Sequence, residues 1–387
     1  MAATLDGGLT LDGILVVDLT HVLAGPFATM HLAQMGARVI KVEQPGRGDE
    51  ARGFAPFRDG QSLYFASVNA GKESIALDLR VAADRLVFEG LLARADVLAE
   101  NFRPGTLAGL GYQWPELHHR YPRLIYGSIT GFGSEGPDAD RAAYDIVLQA
   151  MGGLMSMLGP AGSAPIRSPM QIADLTAGLY LAHGIVAALY QRERTKQGSR
   201  VDISMLDCQA AFMCTHLTTA LATGALPERT ATRHPWIAPY EAFAASDGWL
   251  IVGAPNDQLF ARLCEVIEQS QLADAPLFRT NELRVKHRDE LAALIGVVLR
   301  GRPLGEWILR LDAHGVPCAP VQSVMELARN NSIVHRAMLR KLPTPAGPLH
   351  VVGSPLGAGA GFCGESAAPP GLDRDRAAIL ALAAAAG

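Results

Sequence analysis

Asp174 stands in the run Ala173-Asp174-Leu175-Thr176-Ala177-Gly178, where a long helical pattern opens. A carboxylate there suits two tasks. It can cap the helix, which is the commoner duty of Asp at such a position. It can also be kept ionised by the partial positive charge of the helix N-terminus, and an ionised carboxylate can attack a thioester carbonyl. The local pattern leaves both open.

Four other segments carry residues fit for chemistry, each beside a plainer alternative. Asp18-Leu19-Thr20-His21-Val22-Leu23-Ala24-Gly25-Pro26 leaves a strand and enters a helix, where an open α/β sheet places ligands. It also reads as an ordinary strand-to-helix turn. Glu43 to Arg52 holds Arg47 and Arg52, which could pair with phosphate or carboxylate, or merely balance Asp49 and Glu50 in a solvated turn. Ala95 to Gly105 ends in Asn101-Phe102-Arg103-Pro104-Gly105, a possible flank for an adenine ring or a turn with a half-buried Phe. Gly131-Phe132-Gly133-Ser134-Glu135-Gly136-Pro137, followed by Ala143-Tyr144-Asp145, is a loop whose glycines permit close backbone approach to a ligand. Neither GxGxxG nor a Walker pattern occurs, so nucleotide binding by those routes is unsupported.

The elements that must position these residues alternate. Ile14–Val17, Arg38–Val42, Ser74–Leu79, Val97–Ala99, Leu124–Ser128 and Val201–Ile203 read as strands. Helical patterns lie between them at Phe27–Gln34, Asp84–Ala95, Pro115–Arg120 and Leu175–Arg194, and another follows at Leu206–Ala222. In the long helix, Leu179, His183, Val186 and Tyr190 recur at helical spacing. The alternation predicts a parallel, doubly wound Rossmann-like sheet. Composition changes near residue 223. Residues 225–325 then read as a smaller α/β domain, with a strand at Trp249–Val252 and helices at Leu259–Glu268, His287–Leu299 and Leu304–His314. A last helix is expected at Asp373–Ala385, returning to the first domain.

Composition narrows the function classes. Of 387 residues, 49% are hydrophobic and 19% charged, enough to build a sizeable core. A net charge of −4 offers no general attraction for nucleic acid or anionic membranes, so an anionic ligand must be held by local groups. No secretory signal and no membrane span are expected. Cys208, Cys214, Cys264, Cys318 and Cys363 show no CxxC pairing and read as free thiols of a reducing cytoplasm. The eleven His form no ligand-like cluster, so no metal is expected.

Taken in order, the motifs resemble the class III CoA-transferase family, which includes CoA-transferases and the α-methylacyl-CoA racemases. The matching pieces are DLTHVLAGP, VIKVEQPGRGDEAR, NAGKESIALDL at Asn69–Leu79, ADVLAENFRPG, GFGSEGPDAD and IADLTAG. The likeness spans Leu11 to Ala211 and resumes more weakly near Gly315–Val321.

The resemblance implies a large CoA-binding domain from residues 1–224 and 326–387, a small domain from 225–325, and an interlocked homodimer. It implies no permanently bound cofactor, with a CoA thioester as substrate. Asp174 matches the family's nucleophile. His21, Val22, Ala24, Leu77, Arg80, Asn101 and Phe102 match its CoA contacts. Leu23, Tyr144 and Asp145 match its substrate pocket. The racemase branch, the alternative reading, has His where this chain has Tyr144. A Tyr titrates near pH ~10, too high for easy two-way proton exchange, so the transferase branch is expected. Leu23 and Gln44 replace the Gln and Arg of the formyl-CoA:oxalate enzyme, and no Gly run occurs between Cys214 and Tyr240. These departures point away from formyl-CoA and oxalate. The family's habit suggests a short-chain dicarboxylic acid, with Arg47, Arg52 and Arg167 as available cations.

Overall fold

The computed structural model describes residues 9–344, 347–356 and 367–385. Cys363 and the Gly-rich stretch around it lie outside them. The chain divides into two compact units. One comprises Met1–Leu154, Arg167–Cys214 and Asn330–Gly387; the other comprises Met155–Ile166 and Thr215–Arg329. The sequence reading placed the divisions at 224/225 and 325/326. The units instead part at 214/215 and 329/330, and a short stretch before Arg167 groups with the middle of the chain.

The first unit runs β1 (Leu15–Asp18), α1 (Ala24–Gln34), β2 (Arg38–Glu43), α2 (Leu63–Asn69), β3 (Glu73–Ala76), α3 (Ala82–Leu92), β4 (Val97–Glu100), α4 (Trp114–Arg120), β5 (Ile125–Thr130), α5 (Asp145–Met151), α6 (Ile172–Thr195), β6 (Arg200–Ser204) and α7 (Met205–Phe212). The six strands form one sheet in the order 3-2-1-4-5-6, every pair parallel. Strands of such a sheet are covered on both faces and so read as continuous apolar runs; Val16 and Val17, neighbours pointing opposite ways, are both fully buried. One face packs on α1 and α6 through Ala28, Leu32, Leu181 and Ile185. The other packs on α3, α4 and the C-terminal α12 (Arg376–Ala384) through Phe88, Leu91, Leu117 and Ile379. Asp18 pairs in register with both Lys41 and Ala99. The loops after β1 and β4 therefore leave the sheet side by side, at the switch point where open α/β sheets take ligands.

Helix α6 forms as expected, and it buries a different stripe from the residues noted at helical spacing. Leu179, His183 and Tyr190 are exposed, and the buried stripe is Ala177, Leu181, Ile185 and Leu189. Small residues decide this, because they let α6 lie close against α1. A Cβ on Gly178 would stand 2.6 Å from Ala24 O and 3.0 Å from Phe27 Cδ1. Gly178→Ala is expected to force the two helices apart at a cost of about 1–3 kcal/mol, read as a lower midpoint in denaturant. By length and composition α6 could also cross a bilayer, its most apolar window having mean hydropathy 1.5, which the sequence reading did not foresee. Its packing on α1, β5 and α7 is that of a core helix.

The helix foreseen over Leu206–Ala222 is two helices, α7 and α8 (Cys214–Thr223), parted at Met213. The second unit contains a three-stranded antiparallel sheet. β8 (Trp249–Gly253) lies between β7 (Tyr240–Ala244) and β9 (Cys318–Pro320). Helices α9 (Asp257–Val266), α10 (Arg288–Leu299) and α11 (Leu304–Ala313) close its core around Phe243, Leu250, Phe260 and Trp307.

Candidate active site

The loop after β1 is held residue by residue. Asp18 Oδ1 accepts from Thr20 N at 2.8 Å, and Lys41 Nζ donates to Thr20 O at 2.6 Å. Asn101, just past β4, accepts from His21 N at 2.8 Å and donates to His21 O at 2.9 Å. Asp49 Oδ1 accepts from Val22 N at 3.0 Å. Val22 has φ of 66°, a left-handed conformation that a β-branched residue strongly disfavours. Strain of this kind costs about 1–3 kcal/mol and persists where surrounding bonds over-determine it.

Beneath the loop lies a buried charge network. Lys72 Nζ reaches Asp18 Oδ2 (3.0 Å), Thr29 Oγ1 (2.8 Å), Asn69 Oδ1 (2.9 Å) and Pro26 O (3.0 Å). Lys41 pairs with Asp49 at 2.8 Å. Burial pushes the Lys72 ammonium down to about 8 despite Asp18. Burial also opposes ionisation of Asp18, but Lys72 and Lys41 outweigh it and hold that carboxyl below its ordinary value. Arg52 is not a free cation. It grips Glu43 with two bonds of 2.7 Å and covers the Phe65 ring.

Above the switch point is a cavity of about 530 Å³. His21, Leu77, Arg80 and Phe102 line it, together with Gln44 and Arg47. His21 and Phe102 stack with ring centroids 5.5 Å apart. Phe102 N in turn donates to Glu100 Oε2 at 2.7 Å. Val22, Ala24 and Asn101 do not line this cavity. Val22 and Asn101 shape its wall through the loop bonds, and Ala24 is buried at the start of α1. Arg80 is already held by Asp78 through bonds of 2.9 and 2.8 Å.

Asp174 is the third residue of α6, not its cap. Because α6 joins two parallel strands, its N-terminus lies at the carboxyl end of the sheet. The side chain is partly buried and accepts no hydrogen bond among the described residues. Burial, with the charge of Asp145 added, pushes its carboxyl up to about 7. Desolvation and the Asp145 charge thus work against the ionised form that a helix N-terminus favours.

Leu23 belongs to a cluster with Met30, Val68, Tyr64 and Leu175, the neighbour of Asp174. Tyr144 is 74% exposed, at the entry of α5. Asp145 is buried, its Oδ1 accepting from Ala173 N at 2.8 Å and its Oδ2 from Gln149 Nε2 at 2.7 Å. Both oxygens are occupied in fastening the start of α6. The sequence reading missed Tyr64. Its hydroxyl is pushed up to about 12 by burial and by the charges of Asp174, Asp145 and Asp49, so it remains a donor beside them. No local pattern marks it; only the packing of α2 brings it there.

These features meet known proteins over nearly the whole chain. The profile of CoA-transferase family III matches residues 11–376. An acetyl-CoA:oxalate CoA-transferase of Acetobacter aceti is 43% identical over 88% of this chain and 89% of its own. A succinyl-CoA:glutarate CoA-transferase of Mus musculus is 36% identical over 96% and 85%. The crystal structure of a CAIB/BAIF family protein from Brucella suis superposes with a TM-score of 0.88 at 35% identity, covering 97% of this chain and 100% of that one. The named relatives are transferases, which does not favour the racemase alternative. The chain is an enzyme of the transferase type and belongs to CoA-transferase family III.

Proposed function

We propose that this enzyme moves CoA from an acyl-CoA donor to a short-chain dicarboxylic acid through a thioester on Asp174. The observation that carries the reading is Asp174 itself: a partly desolvated carboxylate without a hydrogen-bond partner among the described residues, at the carboxyl end of the sheet. Nucleophilicity rises with basicity, so the ionised form of a carboxyl lifted to about 7 is a strong attacker for its type.

In the proposed sequence the Asp174 carboxylate attacks the thioester carbonyl. The C–S bond breaks, giving an acyl-aspartyl anhydride and CoA thiolate. The thiolate attacks the aspartyl carbonyl and expels the donor acid as its carboxylate, leaving aspartyl-CoA. The acceptor carboxylate attacks that thioester, and the returning thiolate then takes the acceptor acyl group and frees Asp174. Protons balance throughout. The 530 Å³ cavity is the proposed CoA site, with His21 and Phe102 on its wall and Arg47 and Arg80 as the cations for phosphate. The large unit is its proposed carrier, and the interlocked cytoplasmic homodimer belongs to the same proposal on the strength of the family resemblance.

The dicarboxylic acceptor is supported by relatives named for oxalate, glutarate and D-citramalate. Oxalate belongs in the test panel despite Leu23 and Gln44, because the relative at 43% identity is named for it. The test is a donor–acceptor matrix scored by mass spectrometry of the CoA products. New dicarboxyl-CoA thioesters are expected. Deuterium entering the α-carbon of an acyl-CoA, with no CoA exchange in any pair, would refute the reading.

A further inference from the structure

The chain that leads into α6 is fastened from one buried amide. Gln149, on α5, has no exposed surface. Its Oε1 accepts from Ser168 N at 2.8 Å. Its Nε2 donates to Asp145 Oδ2 at 2.7 Å and to Met170 O at 3.1 Å. Asp145 passes the tie onward, its other oxygen accepting from Ala173 N at 2.8 Å. Residues 168, 170 and 173 are thus pinned to the first two turns of α5, and the last pin adjoins Asp174. Residue 171, which precedes α6, supplies no side-chain cap of its own. The orientation of the first turn therefore depends on this borrowed one.

We propose that Gln149 is a positioning residue for the reaction, acting through Asp145 and the 168–173 segment to hold Asp174 on the line of attack. This rests on the reading of Asp174 as nucleophile. A primary amide supplies one acceptor and two N–H donors, and all are used here. Glu, of the same size, lacks the donors and sets a like charge against Asp145. Met keeps the length and loses every bond. Placement of the attacking oxygen matters steeply, since a shift of ~1 Å costs on the order of 100-fold in rate. The residues lining the 530 Å³ cavity come from other loops, so CoA binding should not follow.

The experiment compares wild type, Gln149→Met, Gln149→Glu and Asp174→Asn. Folding is checked by circular dichroism melts, CoA affinity by calorimetry with CoA itself, and chemistry by the single-turnover rate with the donor that wild type consumes fastest. Gln149→Met is expected to lose about 100-fold in single-turnover rate while CoA affinity stays within about threefold. Gln149→Glu is read in its place if the Met variant does not melt cooperatively. A folded variant with a rate near wild type, or a rate and CoA affinity that fall together, overturns the proposal. So does failure of both variants to fold, which would make Gln149 a scaffold residue only. Full transfer by Asp174→Asn would refute the nucleophile reading, not the clamp.

Discussion

Asp174→Asn is expected to lower CoA transfer by on the order of 10³–10⁴-fold while leaving CoA affinity intact. The amide has the shape of the carboxylate without its nucleophilic charge. Trapping with hydroxylamine after exposure to acyl-CoA should label the peptide holding Asp174 in wild type and nothing in the variant; a label elsewhere would remove Asp174 from the mechanism. The same residue sets a pH dependence. Only the carboxylate attacks, and its pKa stands near 7, so the rate should climb with pH through that value. Stability should move the other way. The folded pKa of about 7 lies above the ordinary 3.8, so the native state binds the proton more tightly than the unfolded chain does. The folded state then loses stability as pH rises from ~4 to ~7 and stays reduced above. Asp174→Asn escapes that loss. It should exceed wild type in unfolding free energy at pH 8, with the difference vanishing near pH 4. Parallel unfolding curves at both values would contradict the burial argument.

Lys72→Met is expected to destabilise the large unit by roughly 3–5 kcal/mol, measured by denaturant unfolding. The lowered pKa of Lys72 records the cost of burying its charge. Removing the ammonium does not recover that cost. It leaves the fully buried Asp18 carboxylate without its nearest opposite charge, held only by the Thr20 and Thr29 donors, and the Asn69 amide oxygen without the Lys72 donor. Asp18 also bonds Thr20 N, so the loop through the strained Val22 loses its anchor. Transfer should fall with stability, because the cavity wall depends on that loop. Pairing the change with Asp18→Asn should restore part of the unfolding free energy. A double variant no better than the single would show that the network is worth little as a pair.

Much of this was legible in the chain itself. The apolar strand runs, most of them followed by a helical pattern, point to a parallel doubly wound sheet, since a buried parallel strand needs a crossover helix on one face or the other; the helix Leu63–Asn69 between the second and third strands carries no such pattern. They also place the Asp18–Pro26 and Asn101 segments at strand ends, where ligands bind. The ordered motifs single out Asp174.

Tertiary structure decided what local pattern could not. The exposed Leu179 and buried Leu181 follow the same period, and only the close approach of Gly178 to Ala24 chooses the phase. Arg52 looks like an available cation until Glu43, six-stranded sheet and all, folds against it. Tyr64 and Gln149 carry no local signal and Lys72 shows only inside a matching motif, because a decisive partner of each lies far off in sequence: Asp174 is 110 residues from Tyr64, Asp18 54 from Lys72 and Ser168 19 from Gln149. Asp174 at the head of a helix reads as ionised in sequence. The fold buries it beside Asp145 and moves its pKa to about 7, since desolvation and a neighbouring charge exist only once the chain has closed around it.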